Sequence, residues 1–255
     1  MSKNPPYLIV ANWKMNPETE EKALHIAKAL HGTMKQVKKS ELVIAPPSVF
    51  LPSLRKLNKN KPLAAQNVFF EKNGSHTGEI SASMLHDIGV THVIVGHSER
   101  RHMGETNGDI QKKILAALGQ KLIPIVCVGE EYRDDKGEYL SFLKKQIEEC
   151  FASVPKTALS RIVIAYEPLW AIGKNAIREA TPEECFETVV YIKKILADFY
   201  NHTQPKSVFL YGGSVNEKNA LSFLGGGGVD GLLVGRVSLE PKKMEKLLRS
   251  IEGGK

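Results

Sequence analysis

The chain has 255 residues, of which 42% are hydrophobic and 25% charged, a size and composition that suit one large α/β domain or two small ones. Lys and Arg outnumber Asp and Glu by 35 to 28, for a formal charge of +7 and a pI near 9.2. Lysines such as Lys35, Lys38, Lys39, Lys56, Lys59 and Lys61 are scattered, and no RRM, KH or zinc-finger pattern appears, so most of that charge reads as solvated surface with a basic pocket as the minor part. No stretch nears the ~18–20 apolar residues of a membrane span, and the polar segment 1–6 is no signal peptide. Cys127, Cys150 and Cys185 are odd in number and lack CxxC spacing, which points to a reducing compartment and a cytoplasmic protein.

Eight short apolar runs follow one another: 7–11, 42–45, 63–66, 92–96, 123–128, 162–167, 208–212 and 231–234. They are apolar throughout rather than alternating, as strands buried on both faces are. The gaps carry helical periodicity. Ala23, Ile26, Ala27, Leu30, Met34 and Val37 recur at i, i+3, i+4, i+7. Phe186, Val189, Val190, Ile192, Leu196 and Phe199 do the same after Thr181-Pro182-Glu183-Glu184, a capping box with proline at the first helical position. Met244, Leu247, Leu248 and Ile251 make a last helix. Eight βα units in one undivided chain, 1–255, predict a closed (β/α)8 barrel. The doubly wound sheet is the alternative, but Asn12-Trp13-Lys14-Met15-Asn16 after the first strand is not the GxGxxG it would want.

Barrel sites form where strands end, so the residues after each run carry the functional reading. Asn12 and Lys14 follow the first, His97 the fourth, Glu167 the sixth, Gly212-Gly213-Ser214 the seventh and Gly235-Arg236 the eighth. Pro168 restricts Glu167 to extended geometry, which holds a carboxylate at a strand tip. A loop of roughly a dozen residues then leads to the capped helix, the pattern of a positioned base with a mobile cover. His97 opens a new segment, and a helix N-terminus disfavours an imidazolium there. Glycines at strand tips bring backbone N–H groups to an anion. Taken singly, Lys14 reads as a solvated lysine and the glycines as turns; their convergence on one rim is the argument.

These residues resemble triosephosphate isomerases. The resemblance runs from Asn12-Trp13-Lys14-Met15-Asn16 through Gly96-His97-Ser98-Glu99-Arg100-Arg101, Tyr166-Glu167-Pro168-Leu169-Trp170-Ala171-Ile172-Gly173 and Tyr211-Gly212-Gly213-Ser214-Val215 to Asp230-Gly231-Leu232-Leu233-Val234-Gly235. That family is itself a standard example of acid/base tuning and of loop closure. The resemblance implies interconversion of dihydroxyacetone phosphate and D-glyceraldehyde 3-phosphate through an enediolate, with no cofactor or metal. It implies Glu167 as base, neutral His97 as donor to the carbonyl oxygens, and Asn12 and Lys14 as stabilisers of negative charge. Glu99 would orient Lys14, while Gly173, Ser214, Gly235 and the backbone of Arg236 would hold the phosphate. Loop 66–79 is similar to the family's interdigitating loop, which implies a homodimer in which Thr77 reaches the partner's site beside Lys14.

The chain departs from the family pattern in three places. Seven residues, 174–180, stand between Ala-Ile-Gly and Thr-Pro where five are usual, among them charged Lys174, Arg178 and Glu179. Arg236 replaces a second glycine in the phosphate turn. The loop after Arg101 is about one residue short, and Gly225–Gly228 is an unusual run. Other readings of the barrel are a sugar-phosphate epimerase, a Schiff-base aldolase, which would want a lysine where strand six offers Glu167, and a non-catalytic scaffold.

Overall fold

The structure, a computed structural model, describes residues 7–134, 136–173, 176, 178–204 and 206–253; Lys174, singled out above for its charge, lies outside them. Eight strands are β1 (Tyr7–Asn12), β2 (Ser40–Ala45), β3 (Ala64–Ala65), β4 (His92–Val95), β5 (Ile123–Val128), β6 (Val163–Tyr166), β7 (Val208–Tyr211) and β8 (Gly231–Val234). All pair in parallel in the order β2-β1-β8-β7-β6-β5-β4-β3. A parallel bridge from Ile44 to Leu63 joins the two ends and closes the barrel. The helices are α1 (Glu20–Met34), α2 (Leu51–Leu57), α3 (Ala82–Asp87), α4 (Ser98–His102), α5 (Asn107–Gly119), α6 (Glu138–Phe151), α7 (Pro182–Phe199), α8 (Ala220–Gly226) and α9 (Pro241–Gly253).

The predicted runs sit within a residue or two of the strands. The third shrinks most, from 63–66 to Ala64–Ala65, because Gln66 has already turned its amide to cap two neighbouring carbonyls, those of Lys14 and Ala45.

Alternate strand residues enter two separate cores. Val10, Val43, Ala64, Ile94, Ile125, Cys127, Val163, Ala165, Leu210 and Leu233 fill the barrel. Ile9, Ala11, Val93, Val95, Ile164, Tyr166, Leu232 and Val234 pack outward under the helices. Extending the inward parity by one step gives Asn12 on β1, Gly129 beyond β5, Glu167 beyond β6, Gly212 beyond β7 and Gly235 beyond β8. The pleat that fills the core therefore also delivers the polar residues to its upper mouth.

Helix α7 begins as its sequence promised: Thr181 Oγ1 accepts the Glu184 N–H, and the Glu184 carboxylate accepts that of Thr181. Its inner face is rotated from the expected stripe. Cys185, Thr188, Val189, Ile192, Ile195 and Leu196 are buried, while Phe186 and Val190 are about half exposed. Thr188 can be buried because its hydroxyl donates to the Glu184 carbonyl. Phe186 instead lies over the glycine run: a Cβ at Gly228 would stand 2.8 Å from its ring, and one at Gly227 would stand 2.6 Å from the Phe223 carbonyl.

Candidate active site

Glu167 occupies the centre of the mouth and is only 3% exposed. Its N–H donates to Val128 O, which continues the β5–β6 ladder one residue past the strand. Two glycines leave room for it. A Cβ at Gly129 would fall 1.8 Å from the Glu167 carbonyl oxygen, and one at Gly212 would fall 3.1 Å from its Cγ. The carboxylate points across the barrel toward β4. Oε2 accepts the Ser98 N–H at 3.1 Å, and Oε1 lies 3.2 Å from His97 Nε2.

His97 reaches that position through a kink. Gly96 has φ of +69°, and a Cβ there would meet Ile110 at 2.8 Å, so only glycine fits the turn. The kink breaks the pleat's alternation and makes His97 the N-cap of α4, where Nδ1 accepts the Glu99 N–H at 3.2 Å. A nitrogen that accepts a backbone proton carries none of its own, so the ring proton sits on Nε2, the atom facing Glu167. The side chain is 6% exposed.

Across the mouth Lys14 adopts φ of +52°, unusual for a residue with a side chain. Local contacts impose it: Asn12 Oδ1 accepts the Lys14 N–H at 3.0 Å, and Gln66 Nε2 donates to the Lys14 carbonyl at 2.8 Å. The ammonium lies 2.7 Å from Glu99 Oε1. Gly235 backs onto the same lysine, since a Cβ there would stand 3.6 Å from Lys14 Cε. Asn12, Lys14, Gln66, His97 and Glu99 also line a cavity of about 290 Å³ that opens away from Glu167, toward Asn67, Glu79 and Arg100.

On the far side Ser214 Oγ donates to the Ala171 carbonyl at 3.0 Å, tying the turn after β7 to the segment after β6. Gly173 has φ of +83°, and open space surrounds it. Arg236 starts a short 3-10 turn, Arg236–Leu239, directly after Gly235. Thr77 stands exposed on its loop and does not join the cluster in its own chain. Cys127 is fully buried inside the barrel, and burial, with the Glu167 carboxylate second, pushes its thiol well above the usual range.

The sequence reading passed over one group. Glu130, which follows Gly129 at the tip of β5, is 1% exposed and accepts from Tyr166 Oη at 2.8 Å, Trp170 Nε1 at 2.8 Å and Arg133 Nε at 3.1 Å. Its Oε2 has no partner among the described residues. The same strand-tip rule that found Glu167 applies to Gly129-Glu130. The barrel interior contributes nothing else polar at β5, so Cys127 drew the attention there.

The sequence profile of triosephosphate isomerase matches residues 7–251. The chain belongs to the triosephosphate isomerase family. Among curated triosephosphate isomerases, that of Endomicrobium trichonymphae is 41% identical over 246 residues, covering 95% of this chain and 97% of the relative. That of Dictyoglomus turgidum is 40% identical over 248 residues, covering 95% and 98%. The crystal structure of triosephosphate isomerase from Bartonella henselae superposes with a TM-score of 0.84 at 32% identity, over 96% of this chain and 99% of that one. Membership in the triosephosphate isomerase family is thus carried by nearly the whole length of chain, and not by the motifs at the mouth alone.

Proposed function

We propose that this chain interconverts dihydroxyacetone phosphate and D-glyceraldehyde 3-phosphate, the triosephosphate isomerase reaction of glycolysis and gluconeogenesis, with Glu167 as its base. The family relationship supports the reaction. The observation that supports the residue assignment is the buried Glu167 carboxylate, 3.2 Å from the Nε2 of His97 in a mouth that also holds Lys14. The Glu167 carboxylate takes a proton from the carbon beside the carbonyl, and the electron pair of that C–H bond moves to the carbonyl oxygen. His97 donates through Nε2–H to the oxygens on which charge develops, and Lys14 and Asn12 face the same region. The proton then returns from Glu167 to the neighbouring carbon. Glu99 holds the Lys14 ammonium in place. Gly173, Ser214, Gly235 and the backbone N–H of Arg236 hold the phosphate, and segment 168–180 covers the site so that the enediolate does not expel it.

A coupled assay starting from glyceraldehyde 3-phosphate tests the reading. Steady turnover abolished by Glu167→Gln supports it, and a purified chain that binds the substrate without turning it over sinks it.

We further propose that the chain is a homodimer with Thr77 of each subunit reaching the partner's Lys14. Loop 66–79 resembles the family's interdigitating loop, and the cavity beside Lys14 opens on Ser48, Asn67 and Glu79. Around it Met15 is 92% exposed, Val49 76% and Met84 53%, apolar surface suited to an interface. Sedimentation equilibrium reads the mass directly, and a monomer at micromolar concentration overturns this reading. A cytoplasmic location fits the three cysteines, all buried and unbridged. Among the described residues no helix is long and apolar enough to cross a membrane.

A further inference from the structure

From the contacts on either side of segment 171–177 we infer that Arg178 is a positioning residue for isomerisation, fastening the longer cover of this chain at both ends. The inference rests on the reading of 168–180 as a cover.

The guanidinium meets Glu184 as a fork, Nη1 to Oε2 at 2.8 Å and Nη2 to Oε1 at 2.5 Å, the planar two-bond geometry that lysine does not offer. Glu184 is itself fixed, because the same carboxylate closes the capping box of α7 on the Thr181 N–H at 2.9 Å. Hydrogen bonding from Arg178 holds that carboxyl at about 2, so it stays charged through the neutral range. The Arg178 guanidinium also lies 4.7 Å from the centre of the Trp170 ring, within cation–π range. Trp170 is anchored in turn by its Nε1–H to buried Glu130, and Arg133 lies 5.2 Å from the same ring. One side chain near the end of the segment thereby grips both the helix that follows it and the indole that precedes it.

The sequence gives this contact a purpose. Seven residues separate Gly173 from Thr181 where the family pattern has five. Fastening at Arg178 leaves only 174–177 between Gly173 and the first fixed point. A shorter free span has fewer conformations to give up when the cover must order over bound substrate. The other lid arginine contact, to the Glu179 carbonyl at 3.2 Å, is local and adds nothing across the segment.

The test uses the full-length protein and the variants Arg178→Ala, Arg178→Lys and Glu184→Gln. Three readouts are kcat and KM for glyceraldehyde 3-phosphate, inorganic phosphate released per isomerisation turnover, and the fluorine resonance of Trp170 in 5-fluorotryptophan-labelled protein. The chain has two tryptophans, and Trp13 is fully buried, so the signals are separable. In Arg178→Ala and Glu184→Gln, phosphate release per turnover rises at least threefold, KM rises two- to fivefold, kcat stays within twofold, and the Trp170 resonance moves. Arg178→Lys, which keeps charge without the fork, falls between. If all three variants match the parent within twofold in phosphate release and KM, or if only the melting temperature changes, the inference is overturned. Failure of the parent protein to isomerise overturns the cover reading instead, so the two failures are distinct.

Discussion

Strand β4 ends in a histidine at each side of the barrel, and the pair separates a structural from a functional use of the same residue. His92 opens the strand at the base and His97 follows it at the mouth; they are 8% and 6% exposed. The Nδ1 of His92 lies 2.8 Å from the hydroxyl of Thr91, and burial drives the ring down to about 4. It has no carboxylate partner among the described ion pairs. His97 has Nδ1 committed to a helix N-terminus and Nε2 turned to Glu167. Burial is common to both, so burial does not make the site. What differs is a kinked glycine, a capped helix start and a carboxylate delivered from another strand.

The sharpest way to break that contrast is to remove the carboxylate. Glu167→Gln keeps the shape of the side chain and the Ser98 contact but cannot take a proton, so kcat falls by about 10²–10⁴-fold or more while KM changes little. A variant that keeps most of its kcat shows that Glu167 is not the base. Next in size is the pair of histidines themselves. His97→Gln removes an aligned donor and lowers kcat on the order of 10²–10³-fold, whereas His92→Gln leaves kcat within about twofold, as expected of a group touching no reacting atom. Equal losses in the two variants would erase the distinction drawn here.

Stability tests the same pair from the other side. His92 is held neutral in the folded barrel at about 4, while its ordinary value is 6.5. Its folded value is depressed, so its contribution is fully present above about pH 6.5 and is lost as pH falls from there toward 4, where the unfolded chain takes up a proton that the native ring refuses. The full effect is on the order of 2–3 kcal/mol. Urea unfolding at pH 7 and pH 4.5 measures it, and the pH slope flattens in His92→Gln. An unchanged slope in that variant assigns the acid sensitivity to other groups.

Most of the mouth was legible because two rules act together. Strand pleat carries Asn12, Glu167, Gly212 and Gly235 to the inside, and Pro168 ends β6 directly after Glu167, so residue order alone places them. Lys14 was legible only through the resemblance, since its position depends on a left-handed backbone held by Asn12 and Gln66, contacts 2 and 52 residues away. Glu130 escaped because its partners come from three segments: Tyr166, Trp170 and Arg133. The face of α7 was misjudged for a related reason. Periodicity marks apolar residues, but burial of Thr188 depends on Arg133, which donates to its hydroxyl from a different loop.

The smallest expected effect concerns the opposite rim, where anion binding depends on backbone rather than side chains. Arg236 directly follows Gly235 and begins the 3-10 turn that closes with the Ser238 N–H on the Gly235 carbonyl. Among the described residues its guanidinium has no hydrogen bond or ion pair to hold it over the mouth, and only its N–H is needed by the phosphate. Restoring glycine in Arg236→Gly therefore changes KM by less than about threefold, since the anion keeps its amide donor and loses at most a solvent-screened charge. The measurement is KM for glyceraldehyde 3-phosphate at two ionic strengths. A tenfold rise at low salt would mean that the guanidinium grips phosphate itself, and the phosphate rim would then resemble the Lys14 side of the mouth, built on a charged side chain.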